Sequence, residues 1–67
     1  MRHVTPQQAE KALNIRAWRL VRTSGSHHVW KSEDGARTVV IPFHRGVIAP
    51  GTQRAIMKAA GLTDEDL

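Results

Sequence analysis

The apolar residues of this chain change their spacing twice, and that leaves it few ways to fold. Ala9, Ala12 and Leu13 recur at helical intervals and form one stripe that ends near Asn14 to Arg16. From Ala17 the interval is two, with Trp18 and Leu20 alternating with Arg19 and Val21, which is the pattern of a strand. Helical spacing returns after Pro50, with Ile56 and Ala60 as core positions.

Punctuation residues mark the boundaries. Thr5-Pro6-Gln7-Gln8 is a helix start, with Thr5 as N-cap, Pro6 at the first helical position and Gln8 completing a capping box. Thr23-Ser24-Gly25-Ser26 is a polar turn, His27 to Ser32 a second strand, and Glu33-Asp34-Gly35 a hairpin turn. Arg37 to Pro42 is a third strand whose Val39-Val40-Ile41 run predicts little solvent on either face. Phe43 to Pro50 reads as a loop carrying His44 and Arg45. Gly51-Thr52 opens the second helix, and Gly61 closes it as a C-cap glycine. Thr63 and the acids after it can begin one more turn.

The expected order is α-β-β-β-α, an α+β fold with a three-stranded antiparallel sheet in one domain spanning residues 1–67. Neither helix can bury its stripe alone, so both belong on one face of the sheet, and the other face is left for binding. On the second strand, His27, Val29 and Lys31 share a face, and His28, Trp30 and Ser32 share the other. The charge of Lys31 makes the His27 face the open one and sends Trp30 inward beside Trp18 and Leu20.

Length and charge narrow the function. A chain of 67 residues buries only about 60% of its unfolded surface. With no cysteine it has neither disulfides nor thiolate metal ligands, which fits a reducing compartment. No apolar run approaches the roughly 20 residues of a membrane span, and no signal-peptide pattern opens the chain. A soluble cytoplasmic protein is expected. Residues 1–62 hold all ten Lys and Arg against three acids, a net of +7, while Asp64, Glu65 and Asp66 crowd the end. Such a body attracts polyanions.

Within that body Gly25-Ser26-His27-His28 places imidazoles at the start of a strand. Histidine exchanges a proton near neutrality, and among arginines and lysines it suggests chemistry on a phosphate-bearing substrate.

Four pieces of the chain, in order, are Trp18-Arg19-Leu20-Val21-Arg22, Gly25-Ser26-His27, Pro42-Phe43-His44 and Pro50-Gly51-Thr52. Arg54-Ala55-Ile56 and Ala60-Gly61-Leu62 follow. In this order they resemble the HicA-type toxins of bacterial toxin–antitoxin pairs. One departure stands at the front, where Ala17-Trp18 replaces the Gly-Phe usual before the first strand. The resemblance implies a double-stranded-RNA-binding-domain-like fold, endoribonuclease activity on mRNA, and neutralisation by a HicB-type antitoxin. It also matches His27 to the family's catalytic histidine.

The chemistry is coherent without the resemblance. RNA carries its own nucleophile, the 2′-hydroxyl, so a positioned histidine need only move protons, typically for about 10²–10⁴-fold. A neighbouring cation stabilises the developing charge. This route needs no metal or other cofactor, and none is expected: Glu33-Asp34 and the tail lie apart from the histidines, and Glu10 stands alone. Arg22 and Lys31 flank the motif as phosphate contacts. Ser26 can hydrogen-bond a phosphate, and His44 can orient substrate or brace its loop. Arg54 and Lys58, four apart, form one basic edge of the second helix. His28 reads as a packed histidine, Trp18 and Trp30 as core, and His3 as inert. The alternatives are a non-catalytic module of the same fold that recognises duplex RNA by shape, or an interaction protein whose open face serves only a partner. DNA binding is disfavoured, because neither helix clusters base-reading side chains.

Overall fold

A computed structural model describes residues 3–67, which form α1 (Pro6–Ile15), β1 (Arg19–Ser24), β2 (His27–Lys31), β3 (Thr38–Pro42), α2 (Pro50–Ala60) and a closing 3-10 turn (Asp64–Asp66). The strands make one antiparallel sheet in the order β1-β2-β3. The α+β, α-β-β-β-α arrangement expected from the sequence is the one observed.

The helices begin and end as their sequences dictate. Gln8 donates its backbone N–H to Thr5 Oγ1 at 3.2 Å, and Thr5 N–H donates to Gln8 Oε1 at 2.9 Å. This reciprocal pair satisfies two N–H groups at the helix start. At the other end Ala17 N–H donates to Asn14 O and Trp18 N–H to Leu13 O, a Schellman motif. α2 ends the same way, with Gly61 N–H on Lys58 O and Leu62 N–H on Met57 O. Each motif turns the chain through a left-handed residue and delivers an apolar side chain, Trp18 or Leu62, into the core. Gly61 takes that conformation freely, whereas Ala17, at φ +65°, does not.

Side chains from both helices bury against the same side of the sheet. Ala9, Ala12, Leu13, Ile56 and Ala60 share one core with Trp30, Val39 and Ile41, and Ile48 and Val4 close it. Ile48 N–H donates to Val4 O at 2.7 Å, so the loop before α2 is tied to the segment before α1. The Arg37 guanidinium lies 5.4 Å from the Trp18 ring and donates to Ala59 O, fastening the start of β3 to the end of α2.

Three expectations need correction. The Val39-Val40-Ile41 run is not covered on both sides: Val40 is 44% exposed because the sheet has a helical layer on one face only. Leu20 does not join the tryptophans in the core; it lies on an edge strand that is exposed along its whole length. Thr23 and Ser24 belong to β1, and the turn is just Gly25-Ser26.

The acidic residues near the end fold back on the molecule. Asp66 accepts from Thr63 N–H at 2.8 Å and from the Arg16 guanidinium at 2.9 Å, pinning the 3-10 turn to the end of α1. The Thr63 backbone first, then Arg16, hold the Asp66 carboxyl below its ordinary range. Asp34 is lowered too, by the Ser32 hydroxyl and the Ala36 N–H in the β2–β3 turn. Because both carboxyls are more acidic in the folded chain, their contribution is complete above the unfolded carboxylate range near pH 4 and is lost as pH falls through the lower folded values.

The strain at Ala17 is open to measurement. Left-handed backbone costs a non-glycine residue roughly 1–2 kcal/mol, offset in part by the greater unfolded-state freedom of glycine. Ala17→Gly should therefore stabilise the chain by roughly 0.5–1 kcal/mol, raising Tm by about 3–6 °C. A melt with unchanged or lower Tm contradicts a strained cap.

Candidate functional site

The face of the sheet away from the helices carries three cross-strand rows. Ser24, His27 and Pro42 make the first, Arg22, Val29 and Val40 the second, and Arg19, Lys31 and Thr38 the third. Residues directly opposite one another in a ladder project to the same face, so these rows form one surface.

One irregularity assembles it. Arg19 and Arg22 are three apart, and in a regular strand they would point to opposite faces. The β1–β2 register shifts between Leu20 and Arg22, leaving Val21 as an extra residue. Such a bulge flips the pleat beyond it. As a result Arg22 and Ser24 stand on the face of His27, together with Arg19.

His27 sits at the rim of this surface and is exposed. Its backbone is fixed from several sides. Gly25, at φ +57°, takes the first central position of a two-residue hairpin turn, where only glycine is unstrained. Ser26 O accepts from Phe43 N–H at 2.6 Å, so the turn is also tied to the residue after β3. The neighbouring His28 faces the other way. Its Nδ1 lies 2.7 Å from Glu10 Oε2, and its ring stacks on Phe43 at 4.3 Å with the planes 11° apart. A carboxylate oxygen only accepts, so Nδ1 of His28 carries the proton. Trp30 Nε1–H donates to the same Glu10 oxygen at 2.8 Å. Glu10, which stands alone in the sequence, is thus the acceptor that joins α1 to β2.

The expected site residues fall into two groups. Arg22 lies diagonally across from His27, a spacing of about 7–8 Å between neighbouring positions that a long side chain spans. Lys31 shares the face but stands four residues along the strand, about 13 Å away. Ser26 occupies the turn before His27. His44 follows Phe43 in an exposed loop, where its Nδ1 donates to Arg45 O at 3.1 Å. Arg54 and Lys58 are elsewhere. Each is two residues, or 200° of helical turn, from buried Ile56, so both lie on the outer surface of α2, on the far side of the core.

Arg19 adds a functional candidate that the sequence reading passed over. It faces Lys31 directly across the ladder. Like charges so placed destabilise a sheet, and an anion between them relieves the repulsion. Its signal in the sequence was hidden, because only the bulge brings it to the same face as Arg22. Among the described residues no group of three or more His, Asp or Glu side chains is placed to hold a metal ion.

The Glu10 junction predicts its own energetics. Glu10→Ala leaves two partly buried donors without an acceptor, each worth roughly 1–3 kcal/mol. Urea unfolding should show a loss of about 2–4 kcal/mol. Glu10→Gln, which keeps an acceptor oxygen, should lose less than half of that. Equal losses for the two variants would mean that the carboxylate's charge matters and that a neutral acceptor of the same size cannot replace it.

A family model described as the HicA toxin of bacterial toxin–antitoxin systems matches residues 6–62, from the first residue of α1 to the leucine after the α2 cap. No curated protein matches the chain. No helix among the described residues is long and apolar enough to cross a membrane. The matched span contains the bulged β1, the Gly-Ser-His hairpin, the open cationic face and both helices, and the chain belongs to the HicA toxin family of bacterial toxin–antitoxin systems.

Proposed function

We propose that this toxin is an endoribonuclease that cleaves mRNA without a metal, with His27 as general acid/base, and that a HicB-type antitoxin neutralises it in the cytoplasm. The observation that carries this reading is the placement of an exposed histidine one diagonal from Arg22 on a cationic sheet face with no helix over it.

The chemistry follows from RNA's own structure. His27 removes the proton from a 2′-hydroxyl, whose oxygen attacks the adjacent phosphorus. The bond to the 5′-oxygen breaks, that oxygen takes up a proton, and a 2′,3′-cyclic phosphate and a 5′-hydroxyl result. Arg22 stabilises the charge that grows on the phosphoryl oxygens as the attack proceeds. Arg19 and Lys31, about two rows away, hold a neighbouring stretch of the backbone. Ser26 and His44, in the turn and the loop beside the His27 rim, complete the substrate contacts. Arg54 and Lys58 engage RNA only where it passes round to the helical side, and so contribute to affinity and not to the chemical step.

A second reading is a non-catalytic module that recognises duplex RNA by its shape. What favours it is the face itself: its centre is Val29 and Val40, and its cations suit phosphates better than bases.

Two measurements separate these readings. Purified chain and His27→Ala are incubated with RNA, with and without a chelator, and thermal melts control for folding. Cleavage that survives chelation and falls at least 100-fold in a folded His27→Ala protein is expected. Equal cleavage by both proteins removes His27 from the chemistry. No cleavage by either, with RNA binding intact, selects the binding module. Separately, Arg22→Gln should lower cleavage and reduce the slope of log affinity against log salt by about 0.7–0.9. Arg54→Gln should weaken binding but leave the single-turnover rate at saturating RNA within about twofold. A larger fall in that rate would place α2 at the scissile phosphate.

A further inference from the structure

The two edges of the sheet differ. β1 carries the Val21 bulge and two arginines, devices that keep another strand from pairing. β3 is regular, and its ladder alternation can be followed from both ends. Ser32 N–H donates to Arg37 O at one end, and Phe43 N–H donates to Ser26 O at the other. Between them lie five paired positions of β3, Thr38 to Pro42. Antiparallel partners alternate between hydrogen-bonded and non-bonded pairs. Val39 and Ile41 are therefore bonded to β2, while Thr38, Val40 and Pro42 direct their backbone groups outward. Pro42 has no N–H to offer, and it sits where β2 requires none. The free edge consists of the N–H and C=O of Thr38, the same pair on Val40, and the carbonyl of Pro42.

Beside this edge lies a shallow, mainly apolar groove between β3 and α2, lined by Thr38, Val40, Thr52, Ala55 and Ala59 among others. On the α2 side the small residues Thr52, Ala55 and Ala59 flank the buried Ile56, so a chain can approach closely. A strand laid along β3 would place alternate side chains in this groove and the others on the open face, beside the row that contains Lys31.

We propose that β3 is a strand-addition site for an extended, acidic segment of the antitoxin, which joins the sheet as a fourth strand. The proposal rests on the reading of this chain as a toxin held by a protein partner. RNA does not supply N–H and C=O groups at two-residue spacing. A second copy of this chain supplies them but brings a second cationic face alongside the first, with a formal charge of +4 on each copy. A carboxylate-bearing strand satisfies both the edge and the charge.

The test uses the whole chain and a purified HicB-type antitoxin that neutralises it. Hydrogen exchange of the free toxin should show fast amides at Thr38 and Val40 and slow ones at Val39 and Ile41. In the complex, the Thr38 and Val40 amides should slow at least tenfold. Val40→Pro removes a donor that β2 does not use, and an edge strand tolerates this; it should weaken the complex at least tenfold. Ala55→Glu, on the exposed surface of α2, puts a carboxylate in the groove and should weaken the complex similarly while leaving RNA cleavage unchanged. A complex that forms while both amides stay fast, or that Ala55→Glu leaves intact, overturns strand addition and spares the toxin–antitoxin reading. Absence of any complex overturns both. A free toxin that is dimeric, and that Val40→Pro makes monomeric, assigns the edge to a second copy and overturns the antitoxin assignment.

Discussion

A single carboxylate oxygen sets the orientation of the strand on which the site depends. Glu10 Oε2 accepts from His28 Nδ1 and from Trp30 Nε1, two donors that are two residues apart on one face of β2. Holding both inward fixes the pleat of β2, because a slip of one residue would carry an imidazole and an indole out to solvent. With His28 inward, His27 has no choice but to face out. Phe43 reinforces the arrangement by stacking on His28 and by donating its N–H to the turn before His27. His27 is therefore placed by its neighbours and stays exposed at the rim of the open face.

The second determinant is the extra residue at Val21. The Glu10 junction decides which way the histidine faces, and the bulge decides which cations it meets. Without it, Arg22 would face the helices and a lone Arg19 would remain at the far end of the open face. Edge strands tolerate such insertions because only one ladder is disturbed. The exposure of β1 along its whole length is thus what allows the cationic surface to be assembled.

Much of this was legible in the sequence, and the failures have definite causes. The helices were readable because Thr5-Pro6-Gln8 and Gly61 are local signals, and the sheet because period two is maintained from His27 to Lys31. The inward placement of His28, Trp30 and Ser32 followed from Lys31 on the other face. Three features were hidden. A bulge leaves no mark in a run such as Arg19-Leu20-Val21-Arg22, so the company of Arg19 and Arg22 was not visible. The partners of Glu10 lie 18 and 20 residues away, a pairing that no local pattern reports. The exposure of Val40 depends on which face lacks helices, and an apolar run of three states only that the residues are apolar.

The asymmetry of the two sheet edges has a consequence for assembly. A sheet grows without limit only if the edge presented by one molecule fits the opposite edge of the next. Here a regular β3 would have to meet a bulged, arginine-bearing β1, a head-to-tail match that the geometry refuses. A second copy paired at β3 would leave only bulged β1 edges outermost, so β1, β2 and β3 give copies of this chain no edge-to-edge route to an open-ended filament.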